Sequence, residues 1–191
     1  MVRAKLLVTI SVALAILTSV MVYHKQPEKA VPVVSKPIPV NVEHSPKLAS
    51  EAKRLGLDIT NVNVTYKKNL NYGGVTSGAT IYGFYQPPNT IYIRPDKPAN
   101  ERRVLAHEYM HYVYAQKLSD ADKELWSQIY EQYQSKDPYI KRQLTFYTDC
   151  DELCKLDESH SMSCVEMPPA TLQAKVNAYC DKFIPNRRLL F

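Results

Sequence analysis

His107, Glu108 and His111 fall within the stretch Val104-Leu105-Ala106-His107-Glu108-Tyr109-Met110-His111. Imidazoles four positions apart lie on one face of an α-helix, one turn above the other. At that separation two ring nitrogens can bind one tetrahedral metal ion. Glu108, next to His107, can reach a water on that metal without being a ligand, and so can act as a general base. The flanking Val104, Leu105, Ala106, Met110 and Val113 are apolar, so the histidines are expected to be partly buried. Burying two imidazoles and a carboxylate without a shared purpose is costly. A chance pattern on a solvated helix is the bland alternative, and the apolar flanks speak against it.

A helix must carry the motif, and the periodicity predicts one over 98–118. Upstream, Val62, Val64 and Tyr66 alternate, which predicts a strand over 59–66. Residues 69–77 are turn-rich, and 78–85 reads as a second strand. Gln86-Pro87-Pro88-Asn89 turns the chain into a third short strand over 90–93. A hairpin just before an H-E-x-x-H helix resembles the zincins, and that resemblance implies that the third strand lies at the sheet edge beside the motif helix, where an open edge could take an extended peptide as an added strand. A protected edge without a ligand is the alternative. Residues 47–55 form a short helix ending at Gly56. After the motif, Ser119-Asp120-Ala121-Asp122 opens a helix through 133, Asp137-Pro138 opens another through 147, and Pro168-Pro169 opens a last one to 183. The expected fold class is α+β: a short antiparallel sheet with an edge strand next to the motif helix, then a mostly helical C-terminal half.

Residues 6–22 carry no charge, follow Arg3 and Lys5, and are followed by Tyr23. This is long for a secretory signal core and near the lower limit for a spanning helix. Residues 1–25 are therefore read as an uncleaved membrane anchor, with a cleaved signal as the alternative. Residues 26–46 hold Pro27, Pro32, Pro37, Pro39 and Pro46, a density that favours an extended stalk. Residues 47–191 form the folded domain. Either reading of the N-terminus exports that domain.

Cys150, Cys154, Cys164 and Cys180 all follow the motif. An even number in an exported chain suggests two disulfides, and four cysteines allow three pairings. Cys150–Cys154 with Cys164–Cys180 is preferred; a second zinc site is the rival, against which the lack of C-x-x-C pairs counts. The net charge of +5 is scattered rather than run together, so nucleic acid is not an expected partner. Fourteen tyrosines suit a small domain whose apolar surface carries polar tips, as around a substrate groove.

His107, Glu108 and His111, with strands preceding their helix, resemble the zincin (H-E-x-x-H) zinc metallopeptidases. The gluzincin branch fits best, because the metzincin extension would need Gly at 114 and His at 117, where the chain has Tyr114 and Lys117. The chain also looks like small membrane-anchored bacterial proteins of this kind, with Ala178-Tyr179 and Asn186-Arg187 in its C-terminal part. The resemblance implies Zn2+ held by His107, His111 and a carboxylate from a later helix, with Glu108 as the catalytic base. Glu158, 47 positions after His111, is the expected third ligand; Glu166 is the runner-up and His160 comes third. Asp157 is expected to face away as a helix cap. Tyr179 or His160 could steady the oxyanion, although packing is the preferred role for Tyr179. The function implied is an exported, membrane-anchored peptidase acting on peptide or protein substrates outside the cytoplasmic membrane. A cell-wall amide hydrolase and a non-catalytic zinc-binding module on an inactive scaffold are the alternatives. The intact Glu108 argues against the module, since a structural site has four protein ligands and needs no base.

Overall fold

The structure is a computed structural model, and it describes residues 45–70, 81–95, 101–147 and 150–191. These residues all belong to one compact unit. The expected anchor at 6–22 and the proline-rich stalk before residue 45 lie outside the described residues. Among the described residues no helix is long and apolar enough to cross a membrane.

The first helix, α1 (Pro46–Leu55), has Pro46 in its first turn, where a missing N–H costs nothing. Leu48, Ala52 and Leu55, spaced four and three apart, are its buried stripe. Gly56 ends it in the left-handed region at φ 75°, a conformation that favours glycine, and its N–H turns back to Ala52 and Lys53 carbonyls. Three short strands follow: β1 (Asn63–Tyr66), β2 (Gly83–Gln86) and β3 (Thr90–Ile93). Their order in the sheet is β1-β3-β2. β3 pairs with β1 in parallel and with β2 antiparallel.

The α+β class holds, with a small sheet and a helical C-terminal half. Two details of the sheet differ from expectation. It is mixed rather than antiparallel, and the strand at 90–93 is central, so the edge strand at the motif helix is β2. The chain between β1 and β2 is long enough to carry β2 past β3's position, which lets β3 insert alongside β1. Alternation within four residues reports which side faces the core but not which strand lies outermost.

The motif helix is α2 (Glu101–Tyr112), continuing as a π-helical segment, Val113–Lys117, in place of the regular helix expected to 118. Leu105, Ala106, Tyr109, Met110 and Tyr112 bury themselves against the sheet and the helices behind it. At its N-terminal end Glu101 is buried and paired with Lys47 at 2.6 Å and the Tyr66 hydroxyl at 3.2 Å. Arg102 and Arg103 donate to the Leu189 and Leu190 carbonyls, so the C-terminal segment holds the start of the motif helix.

Helix α3 (Asp120–Gln132) is capped by Ser119, whose hydroxyl accepts from the Asp122 N–H. Helix α4 (Pro138–Leu144) is capped by Asp137, accepting from Tyr139 and Ile140 N–H. Helix α5 (Glu152–Val165) is capped by Asp151, accepting from the Cys154 N–H. Each cap satisfies donors that have no partner within the helix. From Ser159 to Val165 every residue of α5 is buried, because α2, α3, α4 and the last helix, α6 (Ala174–Asp181), all pack on it. The Trp126 indole N–H, from α3, donates to the Leu156 carbonyl at 2.9 Å. Both disulfides occur as preferred, Cys150–Cys154 and Cys164–Cys180. The first closes on the opening turn of α5, and the second staples α5 to α6. Arg187 is fully buried behind that staple, donating to Asp181 at 2.7 Å and to the Cys164 carbonyl and Asn177.

Candidate metal centre

α2 and α5 cross with their polar residues facing one another. His107 and His111 come from α2, one turn apart, and Glu158 from α5. The two Nε2 atoms are 3.2 Å apart. Glu158 Oε2 lies 3.7 Å from each. A tetrahedral ion with bonds near 2 Å separates its ligand atoms by about 3.3 Å. The triangle is therefore of the right size, and the three residues form a group that could hold a metal ion. Glu158 Oε2 is buried and has no hydrogen-bond partner. A buried carboxylate oxygen without a hydrogen-bond partner, facing two imidazole nitrogens, fits a donor set for a cation, since buried charge without a partner is costly.

The outer nitrogens of both rings meet carboxylates. Asp157 Oδ1 is 2.9 Å from His111 Nδ1. Glu166 Oε1 is 2.8 Å from His107 Nδ1, within ion-pair range but off the line of a hydrogen bond. Tyr139 donates its hydroxyl to the other oxygen of Glu166. A carboxylate on the far nitrogen fixes ring tautomer and orientation and raises the ligand's basicity. Asp157 therefore does not face away as a cap, and Asp151 is the cap of α5. Residues 157 and 158 are about 100° apart on their helix and straddle the line of contact with α2, so one reaches the inner nitrogens and the other an outer one. Glu166, the runner-up ligand, supports His107 from the outer side. Asp157→Ala should lower metal affinity about 10–100-fold while leaving the fold intact; competition with a chromophoric chelator measures it, and an unchanged affinity would remove Asp157 from the site.

Charge points the same way. Burial would push His111 down, yet Asp157 and Glu158 outweigh it and drive its pKa up to about 9. His107 is likewise raised, burial being outweighed by Glu158 and Glu166. Four carboxylates, counting Glu108, surround two rings, so the pocket draws positive charge, which a divalent cation supplies without protonating the rings. Burial raises the pKa of Glu108 itself, against the pull of His107 and His111.

Glu108 is buried under β2. In the β2–β3 ladder Arg94 N–H donates to Tyr82 O. By alternation Phe84 and Gln86 also pair inward, so Gly83 and Tyr85 turn their N–H and C=O groups away from the sheet. The Tyr85 N–H faces the Glu108 carboxylate. Glu108 thus sits beside the ligand triangle, outside it, beneath the strand that is outermost among the described residues.

His160, third in line as a ligand, is not in the group. It is fully buried between Trp126, Tyr114, Tyr179 and Phe183, with ring centroids 5.1 to 6.2 Å away. Its Nε2 shares a 3.3 Å hydrogen bond with the Tyr179 hydroxyl. Burial and the nearby His111 push its pKa down to about 3. His160 and Tyr179, the two candidates for steadying an oxyanion, are thus tied to each other in the core. Sequence reasoning did not single out Tyr147. Burial, and then the neighbouring Glu158, Glu108 and Glu166, hold the hydroxyl of its half-buried ring above the usual range. Fourteen tyrosines without a spacing rule gave no signal for it.

No family model, curated protein or solved structure matches the chain.

Proposed function

We propose that the chain is a zinc-dependent peptidase, exported and tethered to a membrane by its N-terminal apolar run. One observation carries this reading: His107, His111 and Glu158 converge while Glu108 stays beside them, out of the ligand set, under β2, the outermost strand among the described residues. A structural zinc site would close its coordination with a fourth protein ligand, and Glu108 would have no task there. Two histidines and one carboxylate are the donor set of zinc hydrolases that keep a position open.

When bound, the metal supplies Lewis acidity, polarising a scissile carbonyl and acidifying water. His107 and His111 hold it, oriented by Glu166 and Asp157. Glu158 would complete the set. Glu108 takes a proton from the attacking water and delivers it to the leaving amine. The outward N–H and C=O of Gly83 and the C=O of Tyr85 are left to hold an extended peptide backbone, the Tyr85 N–H being taken by Glu108. Two disulfides in a small domain support an oxidising compartment, consistent with export.

Profiling a mixed peptide library with the full chain tests the reading. Cleavage should appear with zinc, vanish with a chelator and return when zinc is restored. Cleavage that persists unchanged in chelator, or no cleavage by fully zinc-loaded protein, would reject it.

A further inference from the structure

The structure assigns Gly83 as the positioning residue for Glu108, so that edge strand β2 both faces the substrate and sets the base. The inference rests on the hydrolase reading for its kinetic consequence and on steric contact alone for its structural one. A Cβ built on Gly83 would lie 2.7 Å from Glu108 Cγ, 2.8 Å from Glu108 Oε1 and 2.5 Å from Val104 Cγ1. Carbon contacts that short do not occur, so any side chain at 83 forces its neighbours to move. Glu108 has nowhere to go within the site: it is buried, with the histidine ring positions on one side and β2 on the other.

Gly83 carries no positive φ among the described glycines, where Gly56 alone does. Its role is therefore close approach of backbone to side chain. Tyr85, two residues on, turns its N–H to the same carboxylate. A strand repeats its orientation every second residue, so one stretch of β2 gives Glu108 both its clearance and a donor. The new Cβ would project toward α2, while the outward N–H and C=O of residue 83 would stay at the open edge. Substitution should therefore displace the base and spare the backbone contacts that bind substrate. Displacement of a reacting group by about 1 Å can cost about a hundredfold in rate.

The experiment uses full-length chains that all carry Val104→Ala, which removes the Val104 contact and leaves Glu108 as the group a new Cβ meets. Gly83→Ala, Glu108→Ala and the pair are compared in this background by thermal melting. Gly83→Ala should lower Tm in the presence of Glu108, and by about 3 °C less once Glu108 is Ala. This arm needs no activity, and equal losses in both backgrounds overturn the inference. In the kinetic arm Gly83→Ala should lower kcat about a hundredfold, leave KM within about twofold, and keep bound zinc. Added to Glu108→Gln, it should lower kcat no further. Additive losses, or an unchanged kcat in an actively hydrolysing background, overturn the positioning role. If the Val104→Ala parent binds zinc and hydrolyses nothing, the hydrolase reading fails and the melting cycle alone decides the contact.

Discussion

Replacing Glu108 by Gln should leave the metal bound and lower turnover by about 10²–10⁴-fold. Gln keeps the shape of the side chain and can still fill the space under β2. It cannot accept the proton. The ligand atoms belong to His107, His111 and Glu158, so metal content should match the parent chain. The separation of the two readouts carries the prediction: a ligand lost would take both, and a base lost takes only the rate. Steady-state kinetics on a peptide cleaved by the parent, alongside elemental analysis, measure them. Turnover at the parent rate would show that Glu108 is not the base.

Glu158→Ala should cost most of the bound zinc, while Glu166→Ala and His160→Ala in folded protein retain it. Glu158 Oε2 is the buried donor that faces both Nε2 atoms, and no other carboxylate completes a group with them among the described residues. Glu166 meets the outer nitrogen of His107, so its loss should weaken binding about 10–100-fold, visible only in limiting zinc. His160 lies in the aromatic cluster and should matter through packing. Full zinc occupancy in Glu158→Ala would place the third ligand elsewhere.

The pairing of His107 with His111 was legible because helical spacing puts them on one face, while Glu158 was singled out from the several carboxylates of 151–166 by the gluzincin resemblance. Asp157 was misread because spacing along one helix does not reveal the angle at which it crosses another. That angle lets neighbouring residues serve inner and outer ring nitrogens. The roles of Glu166 and Tyr139 depend on the same packing. Local signals were reliable where the physics is local: Ser119 and Asp137 cap helices as their side chains suggest, and Gly56 ends α1. The last helix was expected from 168 to 183, but it breaks into a short 3-10 turn, Pro169–Thr171, and α6. Pro168-Pro169 starts a turn there without committing the chain to a continuous helix. Sheet order was beyond reach, since β1 and β3 meet in parallel across a long connection that no local pattern encodes. The importance of Gly83 depends on the approach of β2 to α2 and carries no mark in the sequence.

X-ray absorption at the zinc edge of the zinc-loaded full chain tests most directly whether two imidazoles and a carboxylate hold the ion. The expected first shell contains nitrogen and oxygen only, at about 2.0–2.1 Å, with the outer scattering of two imidazole rings. Sulfur in the shell, or scattering from fewer than two imidazoles, would contradict it.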